Sequence, residues 1–93
     1  MLNIIFACNL KDPMSTVVQN RIKKDLIKDH NFSCIDINDH PFYIDELQLQ
    51  FNQTLIIKDN EEELSRLEGP FDELQLSKAI SDSIQFLEGR FQL

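Results

Sequence analysis

The chain has 93 residues, of which 42% are hydrophobic, and its formal net charge at pH 7 is −7. This length predicts one folded domain, residues 1–93, and the hydrophobic content excludes a wholly disordered chain. Because an acidic surface repels phosphate groups and no apolar run is long enough to span a bilayer, we expect neither a nucleic-acid partner nor a membrane partner.

The first predicted elements are a strand and an amphipathic helix. The apolar segment Leu2–Cys8 is typical of a strand that is covered on both faces. Asp12 is a candidate N-cap and Pro13 a candidate first residue of the helix, which should end near His30. The predicted buried stripe of this helix consists of Val17, Val18, Ile22, Leu26 and Ile27.

A second strand, a short helix and a hairpin are predicted next. Residues 32–37 alternate between apolar and polar side chains, which predicts a strand. Pro41 suits the start of a short helix over residues 42–49. The β-rich runs 54–57 and 63–67 are separated by an Asp-Asn turn and two glutamates, and this pattern predicts a hairpin.

The last predicted element is a helix. Asp72 and Gln75 match a capping box at its start, and Gly89 is a predicted terminator. Its predicted buried face consists of Leu76, Ala79, Ile80, Ser83, Ile84 and Leu87. The element order β-α-β-α-β-β-α predicts an α/β fold, in which a mixed four-stranded sheet is flanked by helices and the first two strands are parallel.

Several segments at these spacings resemble the thioredoxin-like family. Residues 54–60, Thr-Leu-Ile-Ile-Lys-Asp-Asn, are similar to the family's Pro-Thr-Leu segment, and residues 63–69 fit the strand that follows, with its terminal glycine. Asp36 and Pro41 resemble the end of the second strand and the start of the next helix, and Phe6 matches the aromatic residue before the first active-site cysteine. The resemblance covers nearly the whole chain and implies a thioredoxin-like three-layer sandwich.

Compared with that family pattern, this sequence lacks the residues of dithiol exchange. The two cysteine positions of the active-site loop hold Lys11 and Met14, with Asp12 and Pro13 between them. The family's cis-proline is replaced by Gln53, so we expect a trans peptide bond at that position. Neither lysine nor methionine can act as the attacking or the resolving thiol. The resemblance therefore implies a redox-inactive member with no catalytic residue and no cofactor.

The resemblance still implies that this protein binds a protein partner. In the family, a groove between the active-site loop and two neighbouring loops receives an extended polypeptide. The corresponding candidate partner-binding residues are Lys11, Asp12, Pro13, Met14, Asn52, Gln53, Thr54 and Gly69. The resemblance permits a structural subunit of a bacterial or phage assembly, and we expect a cytoplasmic monomer.

The two cysteines carry the alternative hypothesis. Cys8 and Cys34 lie on strands that are predicted to be neighbours, so a divergent thiol-disulfide oxidoreductase that uses one of them stays open. A structural role as small buried side chains is the simpler interpretation. Lys11 at a helix start also leaves open a glutathione-binding protein without turnover. The spacing of His30 and His40 matches no zinc or calcium motif, and no metal site is predicted.

Overall fold

The computed structural model describes residues 2–23 and 30–91. The elements are β1 (Leu2–Cys8), α1 (Pro13–Arg21), β2 (Asn31–Asp36), α2 (Phe42–Glu46), β3 (Gln53–Asp59), β4 (Glu62–Glu68) and α3 (Glu73–Phe91). The predicted element order is therefore confirmed. Within the described ranges, no helix combines the length and the apolar character needed to cross a membrane.

The four strands form one mixed sheet in the order β2-β1-β3-β4. Strand β1 is parallel to β2 and antiparallel to β3, and β3 is antiparallel to β4. In this register, Phe6 in the centre of β1 lies opposite Cys34 on one side and Leu55 on the other. The predicted sheet and its parallel first pair are confirmed, and β2 and β4 form the two edges.

The larger apolar core lies on the sheet face covered by α1 and α3. Its buried members are Leu2, Ile4, Phe6, Cys8, Val18, Ile22, Leu55, Ile57, Leu76, Ala79, Ile80 and Leu87. On the opposite face, a smaller cluster joins Ala7 and Ile56 to residues around α2, namely Ile37 and Leu49. Helix α2 itself contributes no buried residue. Most of the apolar burial that stabilises the fold therefore comes from the α1/α3 face.

Helix α1 buries a different set of side chains from the one predicted. Val18 and Ile22 are buried as expected, but Val17 is 58% exposed and Ser15 is fully buried instead. The reason is helical periodicity, because residues 15, 18 and 22 follow the i, i+3, i+7 pattern of one face and residue 17 does not. Leu26 and Ile27, which were also predicted for this stripe, lie outside the described residues.

Helix α2 is shorter than predicted. It ends at Glu46 and not at residue 49, because Gln48 adopts a left-handed conformation with φ of 55°. The Leu49 amide then donates to the Ile44 carbonyl at 2.8 Å, and the Arg66 guanidinium donates to the Gln48 carbonyl at 3.2 Å. A turn stabilised from a neighbouring strand thus ends the helix, and this contact is not visible in the local sequence.

The strands differ from the prediction only at their ends. Strand β2 lies one residue earlier than predicted, while β3 and β4 extend beyond residues 54–57 and 63–67. The hairpin turn places Asn60 at φ of 54°, a conformation that asparagine tolerates better than most residues. The hairpin prediction itself is confirmed.

Helix α3 begins as predicted and ends later. The Asp72 amide donates to Gln75 Oε1 at 2.9 Å and the Gln75 amide donates to Asp72 Oδ1 at 2.7 Å, which confirms the capping box. The prediction that Gly89 ends the helix is wrong, because α3 continues to Phe91. Glycine ends a helix by adopting a left-handed conformation, and of the described glycines only Gly69 does so.

Candidate functional site

The loop before α1 is held by a network of short-range hydrogen bonds. Asp12 caps the helix, since its Oδ1 accepts from the Met14 amide at 3.0 Å, and Pro13 occupies the first helical position. Asn9 braces the preceding turn, because its Oδ1 accepts from the Lys11 amide at 3.0 Å. The loop is therefore ordered locally, and it presents Met14, which is 57% exposed, at the surface.

Two grooves meet at Met14. The first has a volume of about 470 Å³ and separates α1 from the start of α3; it is lined by Met14, Val17, Val18, Asn20, Arg21, Phe71, Asp72, Glu73 and Leu76. The second has a volume of about 430 Å³ and is lined by Asp12, Met14, Val18, Phe51, Asn52, Gln53, Gly69, Pro70 and Phe71. Because the two grooves share Met14, Val18 and Phe71, we treat them as one surface, the Met14 groove.

The predicted partner-binding residues fall into three groups. Those that line the Met14 groove are Asp12, Met14, Asn52, Gln53 and Gly69. Lys11, on the loop, and Pro13, at the first position of α1, are exposed. Thr54 is fully buried and takes no part in the surface. The structure thus brings two loops and a strand end, far apart in sequence, to one side of the molecule.

Where the groove ends, the main chain of β3 is already paired with its neighbours. Thr54 pairs with Ala7 of β1 and with Glu68 of β4, and the Gln53 carbonyl accepts from the Gly69 amide at 2.9 Å. A partner strand therefore cannot pair with the main chain at Thr54, which excludes strand addition at this point. The Asn52–Gln53 peptide bond is trans as expected, since the described residues contain no cis peptide bond.

The aromatic walls of the groove were not among the predicted site residues. Phe51 is exposed in the second groove, and Phe71 lines both grooves while its ring meets that of Phe6 edge-on, with centroids 6.2 Å apart. Phe71 thereby connects the groove to the main core. The only sequence signal for the pair is that each phenylalanine lies within two residues of a predicted site residue, Asn52 or Gly69.

Gly69 allows Phe51 to pack closely against the turn after β4. Its φ is +76°, and a β-carbon at this position would lie 3.3 Å from Phe51 Cδ1. We expect Gly69→Ala to lower the free energy of unfolding by about 1–2 kcal/mol, because alanine is strained in the left-handed conformation. Urea denaturation would measure this loss, and Gly89→Ala, where no atom lies within 4 Å, is the matched control. An equal or smaller loss at Gly69 than at Gly89 would contradict this account of the turn.

Acidic side chains surround the Met14 groove. Asp12, Asp72 and Glu73 contribute carboxylates to its lining, and Arg21 contributes the one guanidinium. Arg21 and Glu73 form an ion pair that joins α1 to α3 across the groove. The lining therefore combines apolar walls with a net negative rim, in agreement with the net charge of −7 for the whole chain.

The two thiols lie beneath α1. The Cys8 and Cys34 Sγ atoms are 3.8 Å apart; Cys8 is fully buried and Cys34 is partly exposed. Burial raises the pKa of Cys8 to about 12, and the neighbouring Cys34 acts in the same direction. Burial also raises the pKa of Cys34. Both groups are therefore thiols near neutral pH, and neither is an activated nucleophile.

Ser15 completes this buried cluster. Its hydroxyl has no hydrogen-bond partner within residues 2–23 and 30–91. Once Cys8 is deprotonated, this hydroxyl can donate to the thiolate, which lowers the pKa of Cys8. Ser15 was not part of the predicted buried stripe of α1. Its burial follows from its position one turn before Val18 on the same helix face.

Comparison with solved structures finds thioredoxins among the similar folds. Thioredoxin 1 from the thermophilic eubacterium Thermosipho africanus TCF52B is 22% identical, with a TM-score of 0.81, over 92% of this chain and 98% of that one. Mitochondrial thioredoxin 3 from Saccharomyces cerevisiae, in its oxidised form, is 17% identical, with a TM-score of 0.74, over 87% and 77% of the two chains. A designed protein is 16% identical, with a TM-score of 0.78, over 89% and 80%.

No family model and no curated protein sequence matches the chain. The similarity is therefore one of structure at low sequence identity. The chain has the thioredoxin-like fold.

Proposed function

We propose that this protein is a redox-inactive thioredoxin-like binding module, which holds a segment of a partner protein in the Met14 groove. The observation that carries the proposal is that two apolar grooves converge on the loop where Lys11 and Met14 stand at the family's cysteine positions. In this proposal the groove corresponds to the surface that presents a substrate to the dithiol in the family, with no thiol at Lys11 or Met14 to attack it. Such a surface can act by non-covalent binding alone.

The composition of the groove supports a partner segment with an apolar anchor. Met14, Val17 and Phe51 are each about half exposed, so their remaining apolar surface is available for burial. Each Å² of apolar area removed from water contributes about 25 cal/mol. Methionine also adapts its shape to different partners, because its side chain is flexible and polarisable. Met14, at the junction of the two grooves, is the residue we expect to contact the anchor.

The charge of the groove supports a basic partner. Asp12 and Asp72 place carboxylates in the lining, and Glu73 is neutralised only in part by its pairing with Arg21. Lysine or arginine residues beside the apolar anchor would therefore be attracted to the rim, and this attraction should weaken as salt is added. The proposed occupant is a protein segment with an apolar side chain flanked by basic residues.

The wider role that we propose is that of a structural subunit in a bacterial or phage assembly. The composition, rich in Asn, Lys, Ile and Asp, supports such a source. We propose that the protein is cytoplasmic, where two free cysteines remain reduced, that it is monomeric before it meets its partner, and that it needs no cofactor. The glutamates at the start of edge strand β4 support the monomer, because charge at an edge opposes strand pairing.

A divergent thiol-disulfide oxidoreductase is the second candidate function, and the contact between the Cys8 and Cys34 sulfurs is the observation in its favour. Against it, Cys8 is buried and its pKa is raised to about 12, so only a very small fraction is thiolate at neutral pH. Protein substrates are also too large to reach a sulfur that lies beneath α1.

Insulin reduction in the presence of dithiothreitol separates the two candidates. We expect the wild-type protein to accelerate reduction no more than the Cys8→Ser variant does, while a dithiol-containing thioredoxin accelerates it in the same assay. Acceleration by the wild-type protein that is lost in Cys8→Ser would overturn the redox-inactive proposal.

A further inference from the structure

The thiols of Cys8 and Cys34 are placed as a diagonal pair on two parallel strands. Cys8 lies opposite Asp36, and Cys34 lies opposite Phe6, so the two cysteines are offset by two residues along the β1–β2 ladder. Both belong to the core on the α1/α3 face, and their sulfur atoms are 3.8 Å apart. The sulfurs are therefore in van der Waals contact without being bonded.

The two sulfurs differ in access. Cys34 is partly exposed on β2, which is an edge strand, whereas Cys8 is fully buried on β1 between β2 and β3. A small reagent can therefore reach Cys34 first. Cys8 would meet such a reagent only through Cys34, with which it is already in contact. This asymmetry assigns Cys34 as the attacking residue and Cys8 as the resolving residue.

We propose that Cys8 and Cys34 form a reversible intramolecular disulfide when the protein meets a low-molecular-weight disulfide such as glutathione disulfide. The Cys34 thiolate attacks one glutathione sulfur, which forms a mixed disulfide and releases the first glutathione. The Cys8 thiolate then attacks Cys34 Sγ, which closes the protein disulfide and releases the second glutathione. The protein loses two electrons and two protons, and glutathione disulfide is reduced to two glutathione molecules.

Closing this bond requires a movement of β2. A disulfide is about 2.05 Å long, so the sulfurs must approach from their present separation of 3.8 Å, and a diagonal pair cannot do so by side-chain rotation alone. Because β2 pairs on one side only with β1, it can shift at lower cost than a central strand. The resulting strain makes the disulfide easy to reduce, so excess glutathione should reopen it.

The reaction should be slow at neutral pH and faster in alkali. Burial raises the pKa of Cys34, whereas a hydrogen bond with the Cys8 thiol and the charge of Lys23 lower it, and Asp36 raises it slightly. Burial also raises the pKa of Cys8; Cys34 and Asp36 act in the same direction, and Ser15 lowers it. Below its pKa, the thiolate fraction of each cysteine grows about tenfold per pH unit. The rate of crosslinking should therefore rise steeply between pH 7 and pH 9, which distinguishes the pair from an activated redox site.

Intact mass spectrometry after incubation of the folded protein with glutathione disulfide tests the proposal. We expect the wild-type protein to lose two hydrogen atoms and to retain no glutathione, and to regain its reduced mass when excess glutathione is added. Cys8→Ser should stop at a single glutathione adduct on Cys34, and Cys34→Ser should stay unmodified. The wild-type measurement stands alone if a variant fails to fold.

Three results would overturn the proposal. They are a stable glutathione adduct on the wild-type protein, a disulfide-linked dimer, or no reaction at pH 9 under conditions in which the urea-unfolded chain reacts. None of these outcomes bears on the Met14 groove, because Cys8 and Cys34 do not line it. A failure here is thus separable from a failure of the proposed binding function.

Discussion

Replacing Phe6 by alanine is expected to lower the free energy of unfolding by about 3–5 kcal/mol. Phe6 is fully buried at the centre of β1, between β2 and β3, and its ring packs edge-on against Phe71. Removal of the ring leaves a cavity among the core side chains on the α1/α3 face, which a closely packed interior closes only in part. Since small domains have total stabilities of about 5–15 kcal/mol, much of the variant should be unfolded at moderate temperature.

Urea denaturation followed by circular dichroism measures this loss, with Phe42→Ala as the control. Phe42 is 58% exposed on α2 and its ring lies 4.3 Å from that of Tyr43, so its removal should cost no more than about 1.5 kcal/mol. If Phe6→Ala lowered the free energy of unfolding no more than Phe42→Ala does, the core would not be centred on β1.

Replacing Met14 by glutamate is expected to weaken the binding of the partner protein at least tenfold, which corresponds to about 1.4 kcal/mol or more. Met14 joins the two grooves, so a carboxylate there would be buried against Val18 and Phe71 when the partner binds. The added negative charge attracts the basic residues of the partner, so the expected loss of affinity comes from the cost of burying a carboxylate against apolar side chains. Titration calorimetry with the purified partner measures the effect.

Phe42→Glu is the matched control for this substitution. Phe42 and Met14 are almost equally exposed, at 58% and 57%, but Phe42 lies on α2 and lines neither part of the Met14 groove. Both variants should fold with nearly unchanged stability, since each replaces an exposed side chain. Equal losses of affinity in the two variants, or a loss only in Phe42→Glu, would place the binding surface elsewhere.

Elements whose signals are local were predictable from the sequence. Strand β1 is apolar except for Asn3, and the capping box is formed by reciprocal hydrogen bonds between Asp72 and Gln75, three residues apart in the chain. The hairpin follows from a turn that asparagine can occupy. Because these features depend on neighbours in the chain, their positions were found to within a few residues.

Features that depend on distant contacts were missed. The end of α2 is set by a left-handed residue, Gln48, whose carbonyl accepts from Arg66 on β4. Two further misses have local causes. Val17 is exposed because the buried face of α1 runs through residues 15, 18 and 22, and α3 continues past Gly89 because glycine permits a left-handed conformation but does not require it.

The candidate site was also predictable only in part, because the sequence locates its loops but not the contacts between them. The residues of the loops were located through the family resemblance, and five of them do line the Met14 groove. Phe51 and Phe71 were missed, because an isolated phenylalanine near a turn carries no sign of whether it faces the core or a groove. Adjacent strands were predicted for Cys8 and Cys34, but the contact between their sulfurs depends on register and side-chain rotamers, which sequence patterns do not specify.

The most direct test of whether the protein binds its partner without thiol chemistry is affinity capture from the source cell. Two tagged baits are used: the wild-type protein and a double variant in which Cys8 and Cys34 are both replaced by serine. Each captured protein is identified by mass spectrometry, first after elution with salt and detergent and then after elution with a reductant. We expect the same partner on both baits, in equal amounts and released without reductant. A partner that is released only by reductant, and that is absent from the double variant, would show that the protein works through its thiols and not through the Met14 groove.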